Sequence, residues 1–259
     1  MESIRKYGDP PYRTALVHGG PGAAGEMRPL AEQLVAHTGV LECIQTKMTI
    51  VDQVEELKEQ LLFFGEEPKI LIGYSWGAWL SCLVAARYPF LVNKLILVSA
   101  GSFSQKHNGD LMKIRFSRLD QQDKTAAETL MSALEHKNPA SEDLEKLGLL
   151  MRKADAFELL EFDQSFVDIN VEMFQAVWSE AAHLRNTGQL LKICRQICCP
   201  VIAFHGLEDP HPVKGVEIPL TACLADFRMI KLEKCGHTPW IEKYARERFL
   251  ACLTTELSW

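Results

Sequence analysis

The chain lacks any apolar run long enough to cross a bilayer. Its most hydrophobic stretch, residues 95–100, falls far short of the roughly 20 residues that a spanning helix needs. It also lacks a cluster of Lys and Arg. With 28 basic against 34 acidic residues the formal net charge is −6, so a phosphate backbone finds no matching surface and nucleic-acid binding is not expected. No internal repeat or low-complexity segment interrupts the sequence, which excludes solenoids and long disordered tracts. Residues 1–12 are polar and contain proline, without the apolar core of a secretion signal, so a cytoplasmic location with no membrane insertion is expected. The eight cysteines do not fall into paired clusters. Cys194, Cys198 and Cys199 group together, the first two on a helix-like stretch and the third opening a strand, but no second pair completes a four-ligand zinc site. They read as reduced small hydrophobes, and no metal is expected.

What is present fits a globular α/β chain, with a 47% hydrophobic and 24% charged composition over 259 residues. Residues 13–18 (RTALVH) read as a buried strand ending in Gly19-Gly20-Pro21-Gly22, and residues 42–47 as a weaker strand. Thr49 and Asp52 form a capping-box pattern, followed by apolar residues at Val51, Val54, Leu57, Leu61 and Leu62 until Gly65, which is an amphipathic helix. Strand 69–74 runs into Ser75, the almost continuously apolar 76–88 forms a buried helix stopped by Pro89, and 93–99 is another buried strand. This alternation is the mark of a parallel sheet covered on both faces. It breaks over residues 102–185, which show no convincing strand but several amphipathic helices, clearest at 143–153 and 170–182. The rhythm resumes with a helix at 190–197, strands at 200–205 and 227–232, and a helix from 241 to 253.

Gly73-Tyr74-Ser75-Trp76-Gly77 matches G-x-S-x-G, which about one chain in ten of this length would carry by chance. Its position between a buried strand and a buried helix makes it specific, because the motif works as a strained elbow that exposes the serine hydroxyl. The glycines let strand and helix pack closely, and the helix aims its positive end at an anion beside Ser75. The glycine-rich loop after the first strand is placed to donate to an oxyanion. Pro21 has no N–H, so Gly20 is the candidate donor there, with the Trp76 amide as the other. A serine hydroxyl needs a base. Of eight histidines, His237 lies in a Gly-containing loop just after the last strand, and Asp209 follows the preceding strand as its carboxylate partner. The order Ser, Asp, His is the one this elbow architecture uses. Glu208 competes with Asp209; His211 is a pocket-lining candidate; His205 reads as a core residue; and Cys235 has nothing nearby in sequence to activate its thiol.

With these motifs, residues 13–102 and about 190 onward resemble the α/β-hydrolase superfamily, and in particular its HGGPG-containing, proline iminopeptidase-like subgroup. The resemblance implies an α/β-hydrolase fold: a mostly parallel central sheet of about six strands flanked by helices. The core would span 1–101 and 186–259, with 102–185 as a helical cap over the active site. The two antiparallel strands that usually lead the sheet look missing. Proline iminopeptidases carry a cap motif resembling Glu-Asn-His-Tyr-Phe; here residues 168–174 read DINVEMF. Glu172, or Glu158, Glu161 or Asp163, is the carboxylate left to meet a substrate amine, against the plainer reading of acidic residues on a solvated helix face. The expected activity is cofactor-free hydrolysis of a small-molecule ester or amide through an acyl-enzyme. An aminopeptidase, a related reaction on the same triad (C–C hydrolysis, acyl transfer, perhydrolysis), and a non-catalytic small-molecule-binding protein are the alternatives. A homo-oligomer is compatible with the sequence.

Overall fold

Runs of Leu, Ile and Val with no polar alternation form the middle of the molecule, because strands buried on both faces need apolar side chains in both directions. In the computed structural model, which describes residues 3–65, 67–134, 141–160 and 167–257, the chain opens with β1 (Ile4–Tyr7), β2 (Tyr12–Val17), β3 (Ala23–Ala24), α1 (Arg28–Leu34) and β4 (Gly39–Cys43). Next come α2 (Ile50–Phe63), β5 (Lys69–Tyr74), α3 (Trp76–Arg87) and β6 (Val92–Val98). The inserted segment carries α4 (Leu111–Arg118), α5 (Gln121–Leu134), α6 (Ser141–Asp155), β7 (Asp168–Ile169) and α7 (Val171–Asn186). The chain closes with α8 (Gln189–Cys194), β8 (Val201–Gly206), α9 (Lys214–Cys223), β9 (Phe227–Leu232) and α10 (Arg246–Glu256).

Seven strands form one sheet in the order β1-β4-β2-β5-β6-β8-β9, all parallel except β1. Side chains alternate between its faces. Val17, Leu71, Leu95 and Leu97 pack with α2, α3, α7, α8 and α9, whereas Leu16, Ile72, Ile96 and Val98 pack with α1 and α10. Each such fully buried side chain contributes about 1.5–3 kcal/mol. Thr49 caps α2 as its sequence implies, its hydroxyl accepting from the Asp52 amide at 3.2 Å. Helices α4 to α6 hold a small core of their own around Leu119, Ala127 and Ala154. Among the described residues no helix is long and apolar enough to cross a membrane.

Several elements depart from expectation. One leading antiparallel strand is present, since β1 pairs with β4; its IRKY sequence is short and charged, as suits an edge strand, and so hides in a polar segment. Strand β4 lies at Gly39–Cys43, ahead of the expected 42–47. The inserted segment does contain a strand, β7, held by pairing with β3, which two residues cannot signal in sequence. Helix α9 carries Pro219, which masks its periodicity. Residues 239–241 form a separate 3₁₀ turn ahead of α10. Cys198 lies beyond the end of α8, exposed, while Cys43, Cys82, Cys194 and Cys235 are buried and all eight thiols are free.

Candidate active site

Because β2, β5, β8 and β9 are parallel, their C-terminal ends share one edge of the sheet, and the loops that leave them meet there. Ser75 turns the chain from β5 into α3 at φ 51°, ψ −114°, a conformation that costs about 1–3 kcal/mol for a residue with a side chain. Its amide donates to the Val98 carbonyl at 3.0 Å. The turn closes only because both flanking motif positions lack a side chain. A Cβ on Gly73 would lie 2.4 Å from the Gly77 oxygen, and one on Gly77 would lie 2.4 Å from the oxygens of Val17 and His18.

From Ser75 a hydrogen-bonded line runs through the site. Its Oγ is 3.1 Å from Nε2 of His237, and Nδ1 of His237 is 2.7 Å from Oδ2 of Asp209. The second carboxylate oxygen of Asp209 accepts from the His211 amide at 2.8 Å. His205 also reaches this carboxylate, its Nε2 lying 3.5 Å from Oδ2 and 2.8 Å from the His211 oxygen. Asp209, rather than Glu208, therefore faces His237; Glu208 accepts from the Cys235 amide at 2.9 Å. Burial by itself would lower the His237 pKa, but the charge and hydrogen bond of Asp209 outweigh it and leave the imidazole above its ordinary value. Burial would raise the Asp209 carboxyl; the imidazoles of His237 and His205 hold it below the usual carboxylate range instead. The His211 ring lies 4.8 Å from that of His237, tilted by 32°, and burial pushes its pKa down to about 3, so it is neutral. Among the described residues Asp209, His211 and His237 are also the one group whose donor atoms, all within 4.8 Å of one another, have the chemistry to hold a metal. Burial pushes the Cys235 thiol far up, which leaves it unreactive.

Sequence reasoning missed three residues here. Gln45 donates from Nε2 to the His18 carbonyl at 3.0 Å and accepts from the Trp76 indole at 2.9 Å, tying the glycine-rich loop to the residue after Ser75. Its amide donates to His18 Nε2 at 3.1 Å, and burial drops the His18 pKa to about 4, so this imidazole is a neutral strut. Glu242 is fully buried. Its carboxylate accepts from the amides of Gly236 (2.8 Å), Phe157 (2.9 Å) and Glu158 (2.9 Å), joining the His237 loop to the inserted segment. No local pattern in sequence marks either role, because each partner arrives from a distant part of the chain.

A cavity of about 360 Å³ opens over Ser75 and His237, bordered by Gly20 on the sheet side and by α4, α5, α6 and α7 above. Two ion pairs stand in its wall: Arg115 with Asp155 at 2.5 and 2.6 Å, and Arg152 with Glu26 at 3.7 Å. Glu172 lines a different groove of about 660 Å³ with Asp168 and Asn170, so the structure does not bring it to Ser75. Glu158 pairs with Lys243, and Glu161 and Asp163 lie outside the described residues.

The sequence model of the alpha/beta hydrolase fold family matches residues 21–243. The chain belongs to that family. Among solved structures this α/β-hydrolase is similar to VinJ, at 20% identity and a TM-score of 0.71 over 98% of this chain and 93% of VinJ. It is similar to 2-hydroxy-6-oxo-6-phenylhexa-2,4-dienoate hydrolase (BphD) from Rhodococcus sp. strain RHA1, at 19% identity and a TM-score of 0.64, covering 98% and 94%. It is also similar to the Paleococcus ferrophilus monoacylglycerol lipase, at 15% identity and a TM-score of 0.63, covering 98% and 97%. At these identities the likeness is one of fold. No curated protein matches the sequence.

Proposed function

We propose that this α/β-hydrolase is a cofactor-free serine hydrolase that cleaves an ester or amide bond of a small molecule. The observation that carries the reading is the unbroken line Ser75 Oγ, His237 Nε2, His237 Nδ1, Asp209 Oδ2, with spacings of 3.1 and 2.7 Å, at the floor of a cavity. His237 takes the Ser75 proton as Oγ attacks the carbonyl carbon. Asp209 holds the imidazole in the tautomer that leaves Nε2 free to accept and stabilises the imidazolium that results. His237 then gives the proton to the leaving group. A water that it deprotonates releases the acyl group from Ser75 and restores the free hydroxyl. The amides of Gly20 and Trp76 are the proposed oxyanion donors: Gly20 borders the cavity, and Trp76 opens α3, whose first amides have no partner within the helix.

Among the described residues of the wall, the carboxylates Asp155 and Glu26 each lie beside a guanidinium. That favours a neutral substrate over one held by its ammonium group, and so an esterase or amidase over an aminopeptidase. Turnover of p-nitrophenyl esters beside aminoacyl arylamides tests the proposal. The wild type should cleave the esters, and Ser75→Ala should lose at least about 10⁴-fold in kcat. Ester turnover by Ser75→Ala within tenfold of wild type would place the nucleophile elsewhere.

A further inference from the structure

Helix α6 presents one face to the cavity: Leu144, Leu147, Gly148, Met151, Arg152 and Asp155, spaced three and four residues apart as one side of a helix requires. Gly148 is the anomaly on that face. Mid-helix glycine is unfavourable because it has more backbone freedom to lose on folding. Its backbone is not in the left-handed region that favours glycine. Nor is it crowded: a Cβ there meets nothing within 4 Å, whereas one on Gly73 or Gly77 would collide with backbone. Gly148 is also among the residues that line the cavity above Ser75. Around it the wall is aliphatic and adaptable. Met112 from α4, Met131 from α5 and Met151 from α6 are unbranched, flexible side chains that shape themselves to a chain-like ligand. Among the described residues of the wall, Arg115 pairs with Asp155 and Arg152 with Glu26.

We infer that Gly148 sets the depth of an acyl pocket, and that the substrate carries an uncharged aliphatic acyl group which runs from Ser75 along α6. A cavity of about 360 Å³ falls in the roughly 300–1,000 Å³ range of small-molecule pockets, with room for an acyl chain longer than butyryl. This rests on the hydrolase reading for its chemistry but on the cavity alone for its shape.

The test pairs hydrolysis with binding. For hydrolysis, kcat/KM is measured for p-nitrophenyl butyrate and octanoate. The wild type should prefer octanoate, and Gly148→Leu, which fills the open space with a better helix former, should lower the octanoate-to-butyrate ratio by about tenfold or more. Gly148→Ala should shift it the same way by less, so the test survives if the larger side chain perturbs folding. Leu149→Gln, one position along on the exposed side of α6, should leave the ratio unchanged. A wild type that prefers butyrate, or a Gly148→Leu ratio within about twofold of wild type, overturns the pocket. For binding, calorimetry follows octanamide titrated into Ser75→Ala with and without Gly148→Leu, and the second substitution should weaken binding about tenfold or more. If no ester is cleaved yet this weakening is seen, the pocket stands and the hydrolase reading falls. Octanamide bound equally by both proteins overturns the pocket.

Discussion

At the scale of single residues, Asp209 has an oxygen 2.7 Å from one imidazole and 3.5 Å from another. The two partners' shifts agree in sign: the carboxyl is held down and His237 is held up. Catalysis as proposed needs His237 neutral, so activity should be lost as pH falls through a His237 pKa that lies above the ordinary value of about 6.5. Asp209→Asn removes the charge that raises it and leaves burial, which lowers it. The acid limb of the kcat/KM profile should therefore move to lower pH, while kcat falls by about 10⁴ because the tautomer is no longer fixed. A limb that stays in place would mean that Asp209 does not set the His237 pKa. Most of this line was readable in sequence, since Ser75, Asp209 and His237 each follow a recognisable strand. Asp209, preferred in sequence over its neighbour Glu208, is also the one the folded loop turns toward His237. Gln45 was invisible because it matters through partners distant in the chain, not through a motif, while His205, read as a core residue, is fully buried and also reaches the Asp209 carboxylate.

At the scale of elements, what stands out is how the inserted helices are fastened to the loops beneath them. Glu242 bonds residues 157 and 158 to the loop before His237, and His237 itself donates its amide to the Asp155 carbonyl at 2.9 Å. On the other side, β7 pairs with β3 directly after the glycine-rich loop, and the Asn170 amide donates to the Gly22 oxygen at 2.8 Å. Both sides of the proposed oxyanion and base machinery are thus braced by the inserted segment. Glu242→Gln leaves one acceptor oxygen for three donors and turns an amide N–H toward one of them. That should cost about 3 kcal/mol, or about 6–12 °C in Tm for a chain of this size, measurable by calorimetry. An unchanged Tm would show that the clamp carries no load. Thr49→Ala, which removes only the α2 cap, should cost about 1 kcal/mol in chemical denaturation. The Thr49 cap was legible because capping is local chemistry within four residues. The Glu242 clamp and the β3–β7 ribbon were not, because they are made of backbone groups brought together by the whole fold.

At the scale of the whole molecule, the parallel order of β2, β5, β8 and β9 is what makes a site from residues 162 positions apart, as Ser75 and His237 are. The alternation of apolar strands and helices announces that order, which is why the sheet could be read from sequence, apart from an edge strand too short and charged to register. The lining of the cavity is another matter. It draws on α4, α5, α6 and α7 at once, and which of their faces converge depends on packing that no single periodicity encodes; Glu172, on the helix expected to meet substrate, points into a separate groove instead. The central claim is that Ser75 is a nucleophile activated by His237. Intact-mass analysis after exposure to a fluorophosphonate tests it most directly. A single adduct is expected on the wild-type protein, mapped to Ser75 by peptide digestion and absent from Ser75→Ala. A wild type that stays unmodified, or an adduct that survives in Ser75→Ala, would contradict it.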